Sequence, residues 1–179
     1  MKNRYALVCG VLCGNLLMFG MAHADTLKVP VNAITDQGVG EEIGTITFVD
    51  ADGNEAGVDI LVELTGLPEG EHGMHIHENA SCEPAESNGK MMAGMAAGGH
   101  LDPAGTKTHA GPEGKGHKGD LPRIRADAEG AAKAKLHAPR LTTADLKGHS
   151  VMIHSGGDNY SDNPPMGGGD GRIACGVIR

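Results

Sequence analysis

Aromatic side chains are almost missing from this chain, which has no tryptophan, two tyrosines and two phenylalanines in 179 residues. Beyond residue 24 only Phe48 and Tyr160 remain, so core packing has little aromatic area to draw on. Basic residues are also short. With Lys2 and Arg4 set aside, 13 of them face 23 acidic ones, a formal charge of −10, which argues against nucleic acid or an anionic membrane as partner. The same acidity disfavours an anionic substrate unless the site carries its own positive field. Helical periodicity is lacking too, and strands do not alternate with helices. Together with the chain length this excludes a parallel barrel, which needs roughly 250 residues.

Long apolar runs are confined to the start of the chain. Lys2 and Arg4 precede a mostly apolar stretch from Ala6 to Met21, and Ala22-His23-Ala24 follows as a small-x-small pattern. A short run that ends in a cleavage pattern reads as a secretory signal rather than a membrane span. Residues 1–24 are therefore expected to be a signal peptide and residues 25–179 a single domain, free of the membrane after cleavage. Cys9 and Cys13 leave with the signal. The remaining pair, Cys82 and Cys175, is a disulfide candidate in an oxidising compartment.

What is present is a succession of short strands. Leu27, Val29 and Val31 alternate; residues 44–49 run into the turn Asp50-Ala51-Asp52-Gly53; Val58, Ile60, Val62 and Leu64 alternate strictly. Further strands are expected at Met74–Glu78, Pro122–Ala126, Ala131–Leu136, Ser150–His154 and Arg172–Ile178, with a hairpin across Asp127-Ala128-Glu129-Gly130. Eight such strands predict an all-β antiparallel sandwich or barrel. A helical turn is expected over Thr142–Lys147. Two segments, Ser81–Gly119 and Ser155–Gly171, show almost no strand pattern, and loops that long in a compact domain are usually functional.

The stretch from Gly73 to Asp120 concentrates His75, His77, His100, His109, His117 and Asp120 among glycines and prolines, and His154 follows downstream. Imidazole suits copper and zinc, whereas calcium or magnesium would call for oxygen ligands. On an extended strand His75 and His77 share one face and Met74 and Ile76 the other, so the histidine pair can chelate one ion. His117 and Asp120 lie three apart in a glycine-rich turn that His109 can fold back to join.

These residues resemble the copper,zinc superoxide dismutase family of the bacterial periplasmic type. The likeness lies in Gly73-Met74-His75-Ile76-His77-Glu78, Gly98-Gly99-His100-Leu101-Asp102-Pro103, Gly116-His117-Lys118-Gly119-Asp120-Leu121-Pro122, Met152-Ile153-His154-Ser155-Gly156-Gly157-Asp158 and Gly171-Arg172-Ile173-Ala174-Cys175-Gly176-Val177-Ile178. The resemblance implies an eight-stranded Greek-key barrel or sandwich, immunoglobulin-like, with two long functional loops. It implies one copper ion per subunit on His75, His77, His100 and His154, and one zinc ion on His100, His109, His117 and Asp120. His100 would bridge the two. Asp158 would orient a ligand of each metal, Arg172 would hold the superoxide anion beside copper, and Cys82 and Cys175 would form the family disulfide. The implied activity is superoxide disproportionation in the periplasm by a monomer or homodimer.

Met74 and Leu101 stand where relatives often carry an aromatic. Met91, Met92 and Met95 read as flexible apolar filler, with capture of Cu(I) by soft thioethers as the alternative. His72, His137 and His149 read as surface or loop histidines, and strand alternation turns Glu78 away from His75. A second function class uses the same histidines without turnover: a periplasmic copper and zinc buffer, which would need neither Arg172 nor a shared His100.

Overall fold

The computed structural model describes residues 25–52 and 55–179. The expected signal peptide, with Cys9, Cys13 and His23, lies outside them, as does Gly53 of the expected turn at residues 50–53. The strands are β1 (Thr26–Thr35), β2 (Gly38–Asp50), β3 (Val58–Leu64), β4 (Gly70–His72), β5 (Met74–His77), β6 (Ala85–Ser87), β7 (Lys90–Met92), β8 (Ile124–Ala126), β9 (Ala132–Ala138), β10 (Ser150–His154) and β11 (Arg172–Val177). One short helix, α1 (Thr143–Leu146), falls inside the expected helical turn. The Thr142 and Asp145 side chains cap its start reciprocally, which satisfies amides that a helix this short cannot pair internally.

Seven strands hydrogen-bond in the order β5-β10-β11-β1-β2-β3-β9, antiparallel throughout. The two edges of this sheet then meet. β9 is joined to β8 by the turn closed by Asp127 and Ala131, β8 pairs with β4, and β4 runs past Gly73 into β5. Counted with β4 and β5 as one interrupted strand, eight strands close a barrel, which removes the open edges that invite aggregation. The segments β3 to β4 and β9 to β10 cross between distant strands and supply the Greek-key order. β1 and β2 are longer than their alternating cores suggested, because Thr35-Asp36-Gln37-Gly38 joins them as a hairpin whose bulges lie around Asn32.

Alternation decides which side chains enter the barrel. β3 buries Val58, Ile60, Val62 and Leu64 and leaves the residues between them exposed. Ile46, Phe48, Met74, Ile76, Val151, Ile153 and Ile178 meet them in one core. A smaller cluster forms where Ile34, Met152 and Cys175 of the sheet pack against Cys82 and Ala97 of the first long loop. β5 is buried on both faces: Met74 and Ile76 enter the barrel, while His75 and His77 are covered by the loops. The first long loop is not structureless, since it contains the β6–β7 hairpin and a 3-10 turn at Met95–Ala97. Among the described residues no helix is long and apolar enough to cross a membrane.

Candidate metal centre

β10 occupies one edge of β5, and loop backbone takes the other. The Ile76 amide donates to the Gly119 carbonyl at 2.8 Å, the Leu101 amide to the Ile76 carbonyl at 2.8 Å, and the Glu78 amide to the Gly99 carbonyl at 3.0 Å. This sets Asp120 opposite His75 and His100 opposite His77. A Cβ on Gly119 would stand 2.4 Å from the Ile76 carbonyl oxygen, so glycine is required for that approach. His154 ends β10 at a bulge in its pairing with β11, a feature that commonly re-aims a side chain beside a site.

The imidazoles of His75, His77, His100 and His154 present ligand atoms within 4.8 Å of one another, all buried. Their tautomers follow from their other contacts, because carboxylate and carbonyl oxygens only accept. His75 Nε2 donates to Asp158 Oδ2 at 2.8 Å, His77 Nδ1 donates to the Gly98 carbonyl at 3.0 Å, and His154 Nδ1 faces the Asp170 carbonyl at 3.4 Å. Across the site His109 Nε2 donates to Asp158 Oδ1 at 2.8 Å. Lone pairs are thereby left on the opposite nitrogens of the neutral rings of His75, His77 and His154. His75 Nδ1, His77 Nε2, His109 Nδ1, His117 Nδ1 and His154 Nε2 are the buried side-chain polar atoms without a hydrogen-bond partner among the described residues. Burying such an atom unsatisfied costs about 1–3 kcal/mol. Metal ions would satisfy all five, so the donor set fits copper and zinc.

A second group of ligand atoms within 4.8 Å comprises His75, His100, His109 and Asp120. His75 joins it because its ring stacks on His100 with centroids 3.9 Å apart. His117 stands at the margin, its Nδ1 3.4 Å from Asp120 Oδ1. The same oxygen lies 3.1 Å from His100 Nδ1 and 3.0 Å from His109 Nδ1, so Asp120 is the point on which the three imidazoles converge. Its other oxygen accepts the amides of Ala110 and Gly111.

Asp158 joins the two groups through His75 and His109, and its Oδ1 also accepts the Tyr160 amide at 2.7 Å. Gly167 packs directly on it; a Cβ there would clash with Asp158 Oδ1. Ligand-orienting carboxylates of this kind typically contribute 10- to 100-fold, roughly, in metal affinity. Asp158→Ala is accordingly expected to weaken binding of copper and zinc by about that factor in chelator competition. Unchanged affinity for both would remove the assigned role.

Burial depresses His75 and His77, the latter helped by Arg172, and it also depresses His154. Burial holds His100 at about 4 despite Asp120. These four imidazoles are neutral at pH 7 and ready to ligate. His109 behaves oppositely: burial works against its charge, but Asp120 and Asp158 outweigh it and raise the group to about 9. Both carboxylates, though buried, are held below their ordinary range by the imidazoles that donate to them.

Arg172 begins β11 and donates to the carbonyls of Gly94 at 2.6 Å and Gly98 at 2.7 Å. Gly98 is also the acceptor for His77, so one carbonyl ties the guanidinium to an inner imidazole. Arg172, His100 and His154 line a cleft of ≈ 390 Å³. Cys82 and Cys175 form a disulfide across 93 residues, which fastens the first loop to β11.

Several supporting residues escaped the sequence reading. His72 is not a surface histidine: it is 1% exposed, and its nitrogens face the carbonyls of His154 and Pro68, each at 2.8 Å. Arg140 donates to the carbonyls of Gly111, Pro112, Gly116 and His117 and clamps the loop that carries His109 and His117. Asp162 accepts the His109 amide. No local pattern marks these residues, whose partners lie far along the chain. His137 and His149 remain outside the cluster, bonded to Asp59 and to the Glu78 carbonyl. Glu78 does turn away, and accepts the Gly99 amide beside His100.

The profile of the family described as copper/zinc superoxide dismutase (SODC) matches residues 42–178. The protein named superoxide dismutase [Cu-Zn] 2 of Salmonella typhimurium is 51% identical over 92% of this chain and 94% of its own length. Cu/Zn superoxide dismutase from Brucella abortus superposes with a TM-score of 0.83 at 46% identity, over 87% of this chain and 100% of that one. The solution structure of the monomeric copper, zinc superoxide dismutase from Salmonella enterica gives 0.75 at 50% identity, again over 87% and 100%.

Proposed function

The chain belongs to the copper/zinc superoxide dismutase family, and on that premise we propose that it disproportionates superoxide to dioxygen and hydrogen peroxide as an antioxidant defence. His75, His77, His100 and His154 would hold one copper ion, and His100, His109, His117 and Asp120 one zinc ion. The five partnerless imidazole nitrogens carry this reading. Copper, when bound, supplies the one-electron couple that oxidises one superoxide and reduces the next, while redox-inert zinc supplies fixed charge.

The residues do the rest. Arg172 stays charged at any working pH and gives an anion a fixed partner in an acidic protein. Backbone carbonyls of Gly94 and Gly98 hold its guanidinium beside His100 and His154. His100 Nδ1 donates to Asp120 and would pass to zinc, so Nε2 is the atom that would take a proton and hand it to the product. Asp158 and Gly98 keep the proton on the outer nitrogens of His75 and His77, so the inner ones stay available, whereas the inner nitrogen of His109 is freed only when zinc displaces its proton. The first 24 residues would direct the chain to the periplasm. The enzyme would act there as a monomer or homodimer; the monomeric Salmonella relative supports the former. A metal buffer would have no use for Arg172 in the cleft.

The test is superoxide consumption by the purified protein reconstituted with copper and zinc, against a sample holding zinc alone. Rapid turnover in the first only is expected. Tight copper binding without turnover would favour the buffer.

A pH dependence follows from His109. Its pairing stabilises the metal-free fold fully below its unfolded value near 6.5, and that contribution fades as pH rises through about 9. Zinc must displace this proton, so the zinc affinity of metal-free protein is expected to rise about tenfold per pH unit between pH 7 and about 9. The depressed histidines add no such slope for copper. Titrations at three pH values, with proton release measured, would show it; a flat zinc affinity would contradict it.

A further inference from the structure

Among the described methionines Met74 and Met152 are fully buried and Met95 is half-buried, whereas Met91, Met92 and Met166 are 52%, 44% and 44% exposed. Met92 ends β7, Met95 starts the 3-10 turn after it, and Met166 belongs to the second long loop, yet Met92, Met95 and Met166 line the same cleft as His100, His154 and Arg172. Exposure of this size rules out core filling as the reason for Met92 and Met166. Met166 also holds a left-handed backbone, φ 53°, which is strained in a non-glycine residue and persists only where its surroundings enforce it.

We propose that Met92, Met95 and Met166 form a Cu(I) capture site at the mouth of the cleft, which loads the inner histidines. The proposal rests on the copper reading of His75, His77, His100 and His154. Those imidazoles accept zinc as well as copper, so they do not by themselves select the metal. Thioethers are soft, favour Cu(I) over zinc, and carry no proton to displace. Asp36 and Asp170 line the same cleft, and their carboxylates raise the local concentration of a cation. Transfer is a ligand exchange: copper–sulfur bonds break, copper–nitrogen bonds form, and no electron moves. Met91 is exposed on β7 but does not line the cleft, which makes it an internal control.

The test supplies zinc-loaded protein with Cu(I) as its bicinchoninate complex and follows loss of the chelate colour, with final copper measured by mass spectrometry. Replacing Met92, Met95 and Met166 together by leucine, which is close in volume, is expected to slow Cu(I) uptake about 10-fold or more. Final copper content and the rate of Cu(II) uptake should stay unchanged, and Met91→Leu should behave as wild type. Equal Cu(I) rates, equal slowing by Met91→Leu, or equal slowing of Cu(II) would overturn the proposal. Failure of wild type to take up copper at all would instead overturn the copper reading beneath it.

Discussion

Arg172→Ala is expected to retain both metals and to lose superoxide turnover by about 10- to 100-fold at low ionic strength. The size follows from the charge balance. The cleft holds the carboxylates of Asp36 and Asp170 and one cationic side chain, that of Arg172, on a chain of formal charge −8. Removing that cation leaves an anion facing the two carboxylates, with only the bound metals to attract it. Metal binding should survive because Arg172 contacts backbone carbonyls rather than any imidazole. Arg172→Lys should recover part of the rate, since it restores charge without the two-pronged grip. Stopped-flow rates at several salt concentrations, with metal content measured in parallel, would decide it. Wild type should slow as salt rises and Arg172→Ala should not. Full rate in the variant at low salt would remove Arg172 from the mechanism.

Loss of the disulfide is expected to have the largest effect on stability. Cys82 and Cys175 close a loop of 93 residues, worth roughly 4–5 kcal/mol in the chain-entropy model. For a domain of this size that lowers Tm by roughly 10 °C or more. Cys82 and Cys175 also pack with Ile34, Ala97 and Met152, so the pair of alanine replacements loses buried contacts as well. The cost should be greater in metal-free protein, because bound metal stabilises the folded state by mass action and would partly hold the same loop. Calorimetry of the double variant, with and without metals, is the measurement. A shift of less than a few degrees in the metal-free form would show that the loop is held by other means.

Much of the fold and site was legible because its signals are local. Val58, Ile60, Val62 and Leu64 alternate because a strand places successive side chains on opposite faces, and β3 buries those four. The same rule put His75 and His77 together and turned Glu78 elsewhere. The kind of metal site was legible in residue type, since imidazole suits a narrow class of metals and the structure gathers those histidines into groups that could hold one. The sequence by itself thus determined the eight main strands and the two long loops, but not the short β4, β6 and β7.

Tertiary structure alone decided the rest. Asp158 reaches His75 across 83 residues and His109 across 49, and only the closed barrel sets that geometry. The return of β8 onto β4, which closes it, has no marker in three-residue strands. His72 and Arg140 look like ordinary polar residues in sequence, and become supports for His154 and the His109 loop once distant carbonyls surround them. Met92 and Met166 likewise come to line one cleft only through folding. The reason is physical: alternation and turns arise from contacts between near neighbours, whereas a partner tens of residues away is chosen by the packing of the whole chain.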